Sequence, residues 1–298
     1  MQNSNKQVLI IGSGTMGSGI AHTFAQYHFP VFLYDSNTQA LDAALQKITT
    51  NIERQIAKGS IPLSDKQTIL GNITPTTDIK SAAKNCVLVV EAVPENIEIK
   101  QNVFKLIDAV CPEETILASN TSSISITQLA SFTDRPDKVI GMHFMNPVPI
   151  MPLVEVISGM LTSKATTESI VEMSKAIGKT PVCTADFPGF ISNRILMPMI
   201  NEAIYALQEG VAGIAEIDQI MKLGMAHPMG PLQLADYIGL DVCLHIMEVL
   251  HTGFGNSKYA PCPLLVKMVH AGFLGQKTKK GFYDWTTPKN LIANDIIR

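Results

Sequence analysis

Up to about Thr184 the chain carries short apolar, often β-branched runs: Val8 to Ile11, Val31 to Tyr34, Val87 to Glu91, Ile116 to Ser119, Val139 to His143, Leu153 to Ile157 and Thr180 to Cys183. They lack the in-and-out alternation of a half-solvated strand, so they predict strands buried on both faces. Helix-length segments between them supply the covering layers, and the pattern predicts an α/β domain with a doubly wound, mostly parallel sheet. Beyond Asp186 the period changes. Ile191 to Glu209, Ile214 to Leu223 and Pro231 to Leu250 show helical spacing, and Asp186-Phe187-Pro188-Gly189 punctuates the change. The expected division is residues 1–185 for the sheet domain and 186–298 for an all-helical second domain.

Length and composition agree with two domains. A chain of 298 residues is about twice the usual single domain, and 46% hydrophobic against 16% charged residues excludes intrinsic disorder. With 23 Lys+Arg against 26 Asp+Glu, net charge −3, nothing global attracts nucleic acid or an anionic membrane, and neither is expected as a partner. The apolar run at the N-terminus is too short for a signal peptide, and no window approaches the ~18 apolar residues of a spanning helix, so a cytoplasmic protein is expected. The five cysteines, Cys86, Cys111, Cys183, Cys243 and Cys262, form no CxxC pair and read as reduced core residues, with no metal site.

The first strand runs into Gly12-Ser13-Gly14-Thr15-Met16-Gly17, and a helix opens after it. In this GxGxxG spacing the first glycine allows a tight turn, the second lets backbone approach a pyrophosphate, and the third lets helix pack on strand. The free N–H groups of the helix N-terminus face the anion. Asp35 ends the second strand about twenty residues on, where a carboxylate can take both ribose hydroxyls. The first domain therefore reads as a Rossmann-type dinucleotide-binding domain. Ser36-Asn37-Thr38-Gln39 offers no arginine for a 2′-phosphate, which favours NAD over NADP.

His143 ends a strand, where open α/β sheets bind ligands, and an imidazole titrating near neutrality can accept an alcohol proton as hydride leaves the same carbon. Glu155, beyond a proline-containing turn, is a candidate to fix its tautomer. The bland alternative is a hydrogen-bonded core histidine and a solvated strand-edge acid. His22, His245, His251 and His270 lack metal-ligand spacing and read as structural or solvent-facing, and Met197, Met199, Met221, Met225 and Met229 as fillers of helix contacts.

Taken with Glu91-Ala92-Val93-Pro94-Glu95, Ser119-Asn120-Thr121-Ser122-Ser123, Gly141-Met142-His143-Phe144-Met145-Asn146-Pro147, Pro188-Gly189-Phe190-Ile191-Ser192-Asn193-Arg194 and His227-Pro228-Met229-Gly230-Pro231, the chain resembles the L-3-hydroxyacyl-CoA dehydrogenase family, in particular its short, single-function members. The resemblance runs from about residue 7 to about residue 286, motifs in the family's order. It implies interconversion of a (3S)-3-hydroxyacyl-CoA, of short chain, with the 3-oxoacyl-CoA. His143 would be the general base in oxidation and the acid in reverse, oriented by Glu155. Ser122 and Asn146 would hold the substrate oxygen near the nicotinamide, and Asn193 would help align the base. Glu95, Lys100 and Lys277 match cofactor contacts and Lys58 a lysine that meets CoA. Asn51 stands where some members have a serine that contacts CoA, so this part of CoA recognition departs from the pattern. The family also implies a second domain that contributes to the substrate cleft and forms a homodimer, for which Ile191 to Leu207 could supply a face. Two rivals share the scaffold: a dehydrogenase of a non-CoA hydroxy acid, as in the lambda-crystallin-like L-gulonate dehydrogenases, and a catalytically silent dinucleotide-binding protein.

Overall fold

The computed structural model describes residues 6–288 and 291–294. Chain contacts divide it into two units, Met1–Phe187 and Pro188–Arg298. The first opens with β1 (Gln7–Ile11), α1 (Thr15–Gln26), β2 (Val31–Tyr34), α2 (Thr38–Ala57), α3 (Asp65–Gly71), β3 (Ile73–Thr76), α4 (Ile79–Ala83) and β4 (Cys86–Glu91). It continues with α5 (Ile97–Val110), β5 (Ile116–Ser119), α6 (Ile126–Ala130), β6 (Val139–Phe144), β7 (Leu153–Ser158), α7 (Lys164–Ala176) and β8 (Thr180–Ala185).

The eight strands form one sheet in the order β3-β2-β1-β4-β5-β6-β7-β8. Every pairing is parallel except β6 with β7. The central strands are apolar along their middles because helices cover both faces: Val8, Leu9 and Ile10 of β1 and Leu88, Val89 and Val90 of β4 are all 0% exposed. Strand order reverses direction at β1, leaving the crevice beyond the carboxyl ends of β1 and β4 as the place where such sheets bind ligands. Polar side chains start the helices. Asn37 accepts from the Gln39 and Ala40 amides at the head of α2, and Asn96 from those of Glu98 and Ile99 at the head of α5.

Strand β3 was not expected. Its sequence, Ile-Thr-Pro-Thr, offers one buried apolar residue and a proline, which an edge strand tolerates. The other edge brings a correction: β8 alternates little and is mostly exposed, so Cys183 is an exposed thiol rather than a core residue. The remaining four cysteines are buried.

The second unit holds α8 (Ser192–Gln208), α9 (Ile214–Gly224), α10 (Pro231–Ile238), α11 (Leu240–Phe254) and α12 (Pro263–His270) around its own apolar core, which includes Ile200, Leu232, Leu240 and Leu250. The apolar stretch from Pro231 to Leu250 is two helices, because Gly239 adopts φ +107° between them, a conformation glycine alone takes readily. Late in the unit, β9 (Tyr283–Asp284) pairs antiparallel with β10 (Ile292–Ala293), a two-residue contact with too little pattern to read from sequence. Buried Asp236 anchors this segment, accepting from the Phe282 and Tyr283 amides and the Trp285 indole, each at 2.9 Å. Met197 fills the core as expected, whereas Met225 is exposed. Among the described residues, no helix is long and apolar enough to cross a membrane.

Candidate active site

The glycine turn is built for two different reasons. Gly12 has φ +97°, and a Cβ there would lie 2.6 Å from the Ala92 carbonyl oxygen. A Cβ on Gly17 would lie 1.8 Å from the Gly12 carbonyl oxygen. These two are demanded by the protein's own packing. Gly14 is not: a Cβ there meets no atom within 4 Å. The open space at Gly14 lies at the N-cap of α1, which no side chain caps, so its first N–H groups face outward. That combination suits an anion approaching close to backbone. Thr15 and Met16 form the first turn, and the Lys47 ammonium donates to the Thr15 hydroxyl at 3.0 Å.

Asp35 follows β2 and holds the turn from the other side. Its Oδ2 accepts from the Ser13 amide at 2.9 Å and the Ser13 hydroxyl at 2.7 Å, and its Oδ1 from the Asn37 amide at 3.1 Å. Burial pushes the carboxyl up, but the Ser13 and Asn37 donors outweigh it and hold Asp35 below the usual carboxylate range. An ionised acceptor beside an open glycine turn fits a dinucleotide whose ribose presents hydroxyl donors.

Across the sheet, β6 and β7 pair antiparallel with His143 directly opposite Glu155. Cross-strand partners share a face, so the interval between the two residues becomes a contact. His143 Nδ1 lies 2.8 Å from Glu155 Oε2, and both side chains are buried. A carboxylate can only accept, which assigns the proton to Nδ1 and leaves Nε2 as the acceptor. Nε2 is 3.0 Å from the Ser122 hydroxyl, in the loop after β5. Asn120 braces the same region, its Oδ1 accepting from the Phe144 amide at 2.9 Å. Asn146 is exposed two residues beyond β6, ahead of a cis peptide bond to Pro147.

Glu95 lies beneath the Ser122 loop. Its Oε1 accepts from the Thr121 hydroxyl at 2.6 Å, the Ser122 and Ser123 amides at 3.0 Å each and the Ser123 hydroxyl at 2.8 Å. Its Oε2 is 3.2 Å from the Lys100 ammonium. Burial raises the Glu95 pKa, yet Lys100 and the loop hydroxyls win, and it too is held below the usual range. Lys100 is 1% exposed and Glu91 0%, with 2.7 Å between Nζ and Oε1. Neither the acceptor role of Glu91 nor the bracing by Asn120 was assigned from sequence. Their only signal was position within the quoted motifs, directly after apolar runs.

The structure thus gathers Ser122, His143 and Glu155, with Glu95 behind them, and separately Gly12, Ser13, Gly14 and Asp35. Asn51 and Lys58 stand apart, in the last two turns of α2 and at its C-cap, half-buried and exposed respectively. Asn193 and Lys277 belong to the second unit. Asn193 is buried in the first turn of α8, and Lys277 donates to Asp241 at 2.6 Å.

Residues 7–187 match the family model described as 3-hydroxyacyl-CoA dehydrogenase, NAD binding domain, and residues 189–285 its C-terminal domain. The chain is 52% identical over 280 residues to the probable 3-hydroxybutyryl-CoA dehydrogenase of Bacillus subtilis (strain 168), covering 94% of this chain and 97% of that one. It is 54% identical over 279 residues to the 3-hydroxybutyryl-CoA dehydrogenase of Clostridioides difficile, covering 94% and 99%. The crystal structure of (S)-3-hydroxybutyryl-CoA dehydrogenase from Ralstonia eutropha superposes with a TM-score of 0.92 at 46% identity, covering 95% of this chain and all of that one (100%).

Proposed function

Because the chain belongs to the 3-hydroxyacyl-CoA dehydrogenase family, we propose that it reversibly oxidises a short (3S)-3-hydroxyacyl-CoA, of the 3-hydroxybutyryl class, with His143 as the base. The enzyme is NAD-dependent. Short chain length is supported by relatives at 51–54% identity whose names specify 3-hydroxybutyryl-CoA.

The observation that carries the mechanism is the hydrogen-bonded series Glu155, His143, Ser122. NAD, when bound, supplies the acceptor for the hydride that leaves the substrate carbon. Gly12, Gly14 and Gly17 would hold its pyrophosphate against the head of α1, with Ser13, Thr15 and Met16 completing the turn, and Asp35 its ribose. His143 Nε2 takes the hydroxyl proton, while Glu155 keeps the other ring nitrogen protonated and stabilises the imidazolium that results. The Ser122 hydroxyl donates to the substrate oxygen from a position already within reach of His143. In the reducing direction the imidazolium returns its proton to the nascent alkoxide. Asn146 and Asn193 are assigned to positioning substrate oxygen and base, Lys277 to the cofactor, and Asn51 and Lys58 to CoA. The last can act as a point charge for phosphate.

We further assign homodimerisation to the second unit, whose α8 region exposes Ile191 and Ile195 at 50% and 67%. Five free cysteines suit a reducing compartment, and we place the protein in the cytoplasm.

The test is His143→Gln. Turnover of acetoacetyl-CoA and NADH should fall by orders of magnitude while NADH binding persists. Near-normal turnover would reject His143 as the base.

A further inference from the structure

Glu91 at the end of β4, Ser119 at the end of β5, Lys100 on α5 and Glu95 between β4 and α5 form one connected set. Glu91, the last residue of β4, accepts from the Val93 amide at 2.7 Å, the Ser119 hydroxyl at 2.6 Å and the Lys100 ammonium at 2.7 Å. Its carbonyl oxygen accepts from the Asn120 amide at 2.8 Å. Lys100 reaches up from α5 to Glu91 and Glu95 together. The neighbouring residue Ala92 donates to the Ile11 carbonyl at 2.8 Å, and its own oxygen packs on Gly12. One short segment therefore touches the glycine turn on one side and governs the Ser122 loop on the other.

We propose that Lys100, locked by Glu91, is a positioning residue: it holds the Glu95 carboxylate, and Glu95 holds the loop that presents the Ser122 hydroxyl to His143. An ammonium buried to 1% exposure, with two carboxylates on it, is placed to act on protein groups. Burying the Glu91 and Lys100 charges is costly, and an apolar pair of the same shape would serve packing as well or better. What the charges add is an ionised Glu95. An ionised carboxylate is the stronger acceptor, and Oε1 accepts from four donors of Thr121, Ser122 and Ser123. Lys100 on α5 pairs with Glu95 and joins it to Glu91 on β4. Asp186, just after β8, accepts from Ser125 further along the loop, and His143 lies beyond Ser122. Lys100 is the one fixed cation among them, and it opposes the burial that pushes Glu95 upward. The proposal rests on the reading of Ser122 and His143 as the reacting centre.

Removing Lys100 alone would strand Glu91 without its counter-charge and could unfold the chain. The test therefore uses Glu91→Gln with Lys100→Met, which removes both charges and keeps both shapes, and the same pair with Glu95→Gln added. In the full-length enzyme with acetoacetyl-CoA and NADH, the double variant should lose roughly 10- to 100-fold in kcat at pH 6, the scale of a slightly misplaced reacting group. It should recover much of that loss by pH 8, as Glu95 ionises. The wild type should show no such acid limb, and the triple variant should lose it, since a glutamine cannot titrate. Hydrogen–deuterium exchange at neutral pH, without cofactor or substrate, should show residues 120–124 opening at least about tenfold faster in the double variant, with its melting transition intact. A folded double variant with the wild-type pH profile and wild-type exchange overturns the proposal. Faster exchange in a chain whose wild type does not turn over acetoacetyl-CoA would leave the positioning role standing and overturn the assigned reaction instead.

Discussion

Acid should weaken this fold through a residue that takes no part in the chemistry. His22 lies on α1, 0% exposed, with neither ring nitrogen hydrogen-bonded. Burial first, and the nearby Lys179 ammonium second, push its pKa from 6.5 down to about 4. That ammonium is held in place by the Val148 and Met151 carbonyls, at 2.5 and 2.9 Å. Between those two pKa values the unfolded chain binds a proton that the folded chain refuses, so stability falls as pH falls. At about 1.4 kcal/mol per unit, the loss reaches about 2 kcal/mol at pH 5 and about 3 kcal/mol at pH 4, and it is absent above pH 7. Urea denaturation followed by far-UV circular dichroism at pH 7.5, 6 and 5 isolates this contribution when wild type is compared with His22→Leu, an apolar residue for an apolar site. Whatever the offset between the two at pH 7.5, the difference should move by about 2 kcal/mol in the variant's favour at pH 5. Parallel stability curves in the two proteins would refute the reasoning.

Glu155→Gln should lower kcat by about a thousandfold. Opposite charges about 4 Å apart at an effective dielectric near 20 attract by about 4 kcal/mol, and an amide favours the wrong tautomer of His143. Steady-state kinetics that show less than a tenfold drop would remove Glu155 from the orienting role. At the glycine turn, two alanine substitutions should separate fold from ligand. Gly12→Ala, driving a methyl toward the Ala92 oxygen at φ +97°, should cost about 1–3 kcal/mol of stability, whereas Gly14→Ala should melt like wild type yet weaken NADH binding measured by fluorescence. Equal melting shifts in the two would contradict this division. Native protein should show one fast thiol toward Ellman's reagent, lost in Cys183→Ser, and five after denaturation.

Which parts of this molecule could be read from sequence follows from how local their physics is. Strands such as β4 and β6 were legible because burial on both faces writes itself as an unbroken apolar run, and the glycine turn because backbone sterics act within a few residues. Strand β3 was hidden because an edge position asks little of its side chains and tolerates Pro75. Exposure of Cys183 was missed although Pro181, a residue that a central strand does not tolerate, marked Thr-Pro-Val-Cys as an edge. His143 and Glu155 were legible as residue types, but their contact depends on an antiparallel register set by the only reversed strand pair in the sheet. Lys100 marks the limit. The resemblance suggested a cofactor contact for it, and its burial against Glu91 and Glu95 arises from the meeting of β4, α5 and the loop after β5. No spacing rule links residues 91, 100 and 122, because the link is made by the order of strands in the sheet. Side chains whose work is to hold other side chains are therefore the last to be seen in a sequence, and here Lys100 reaches the histidine only through Glu95 and Ser122.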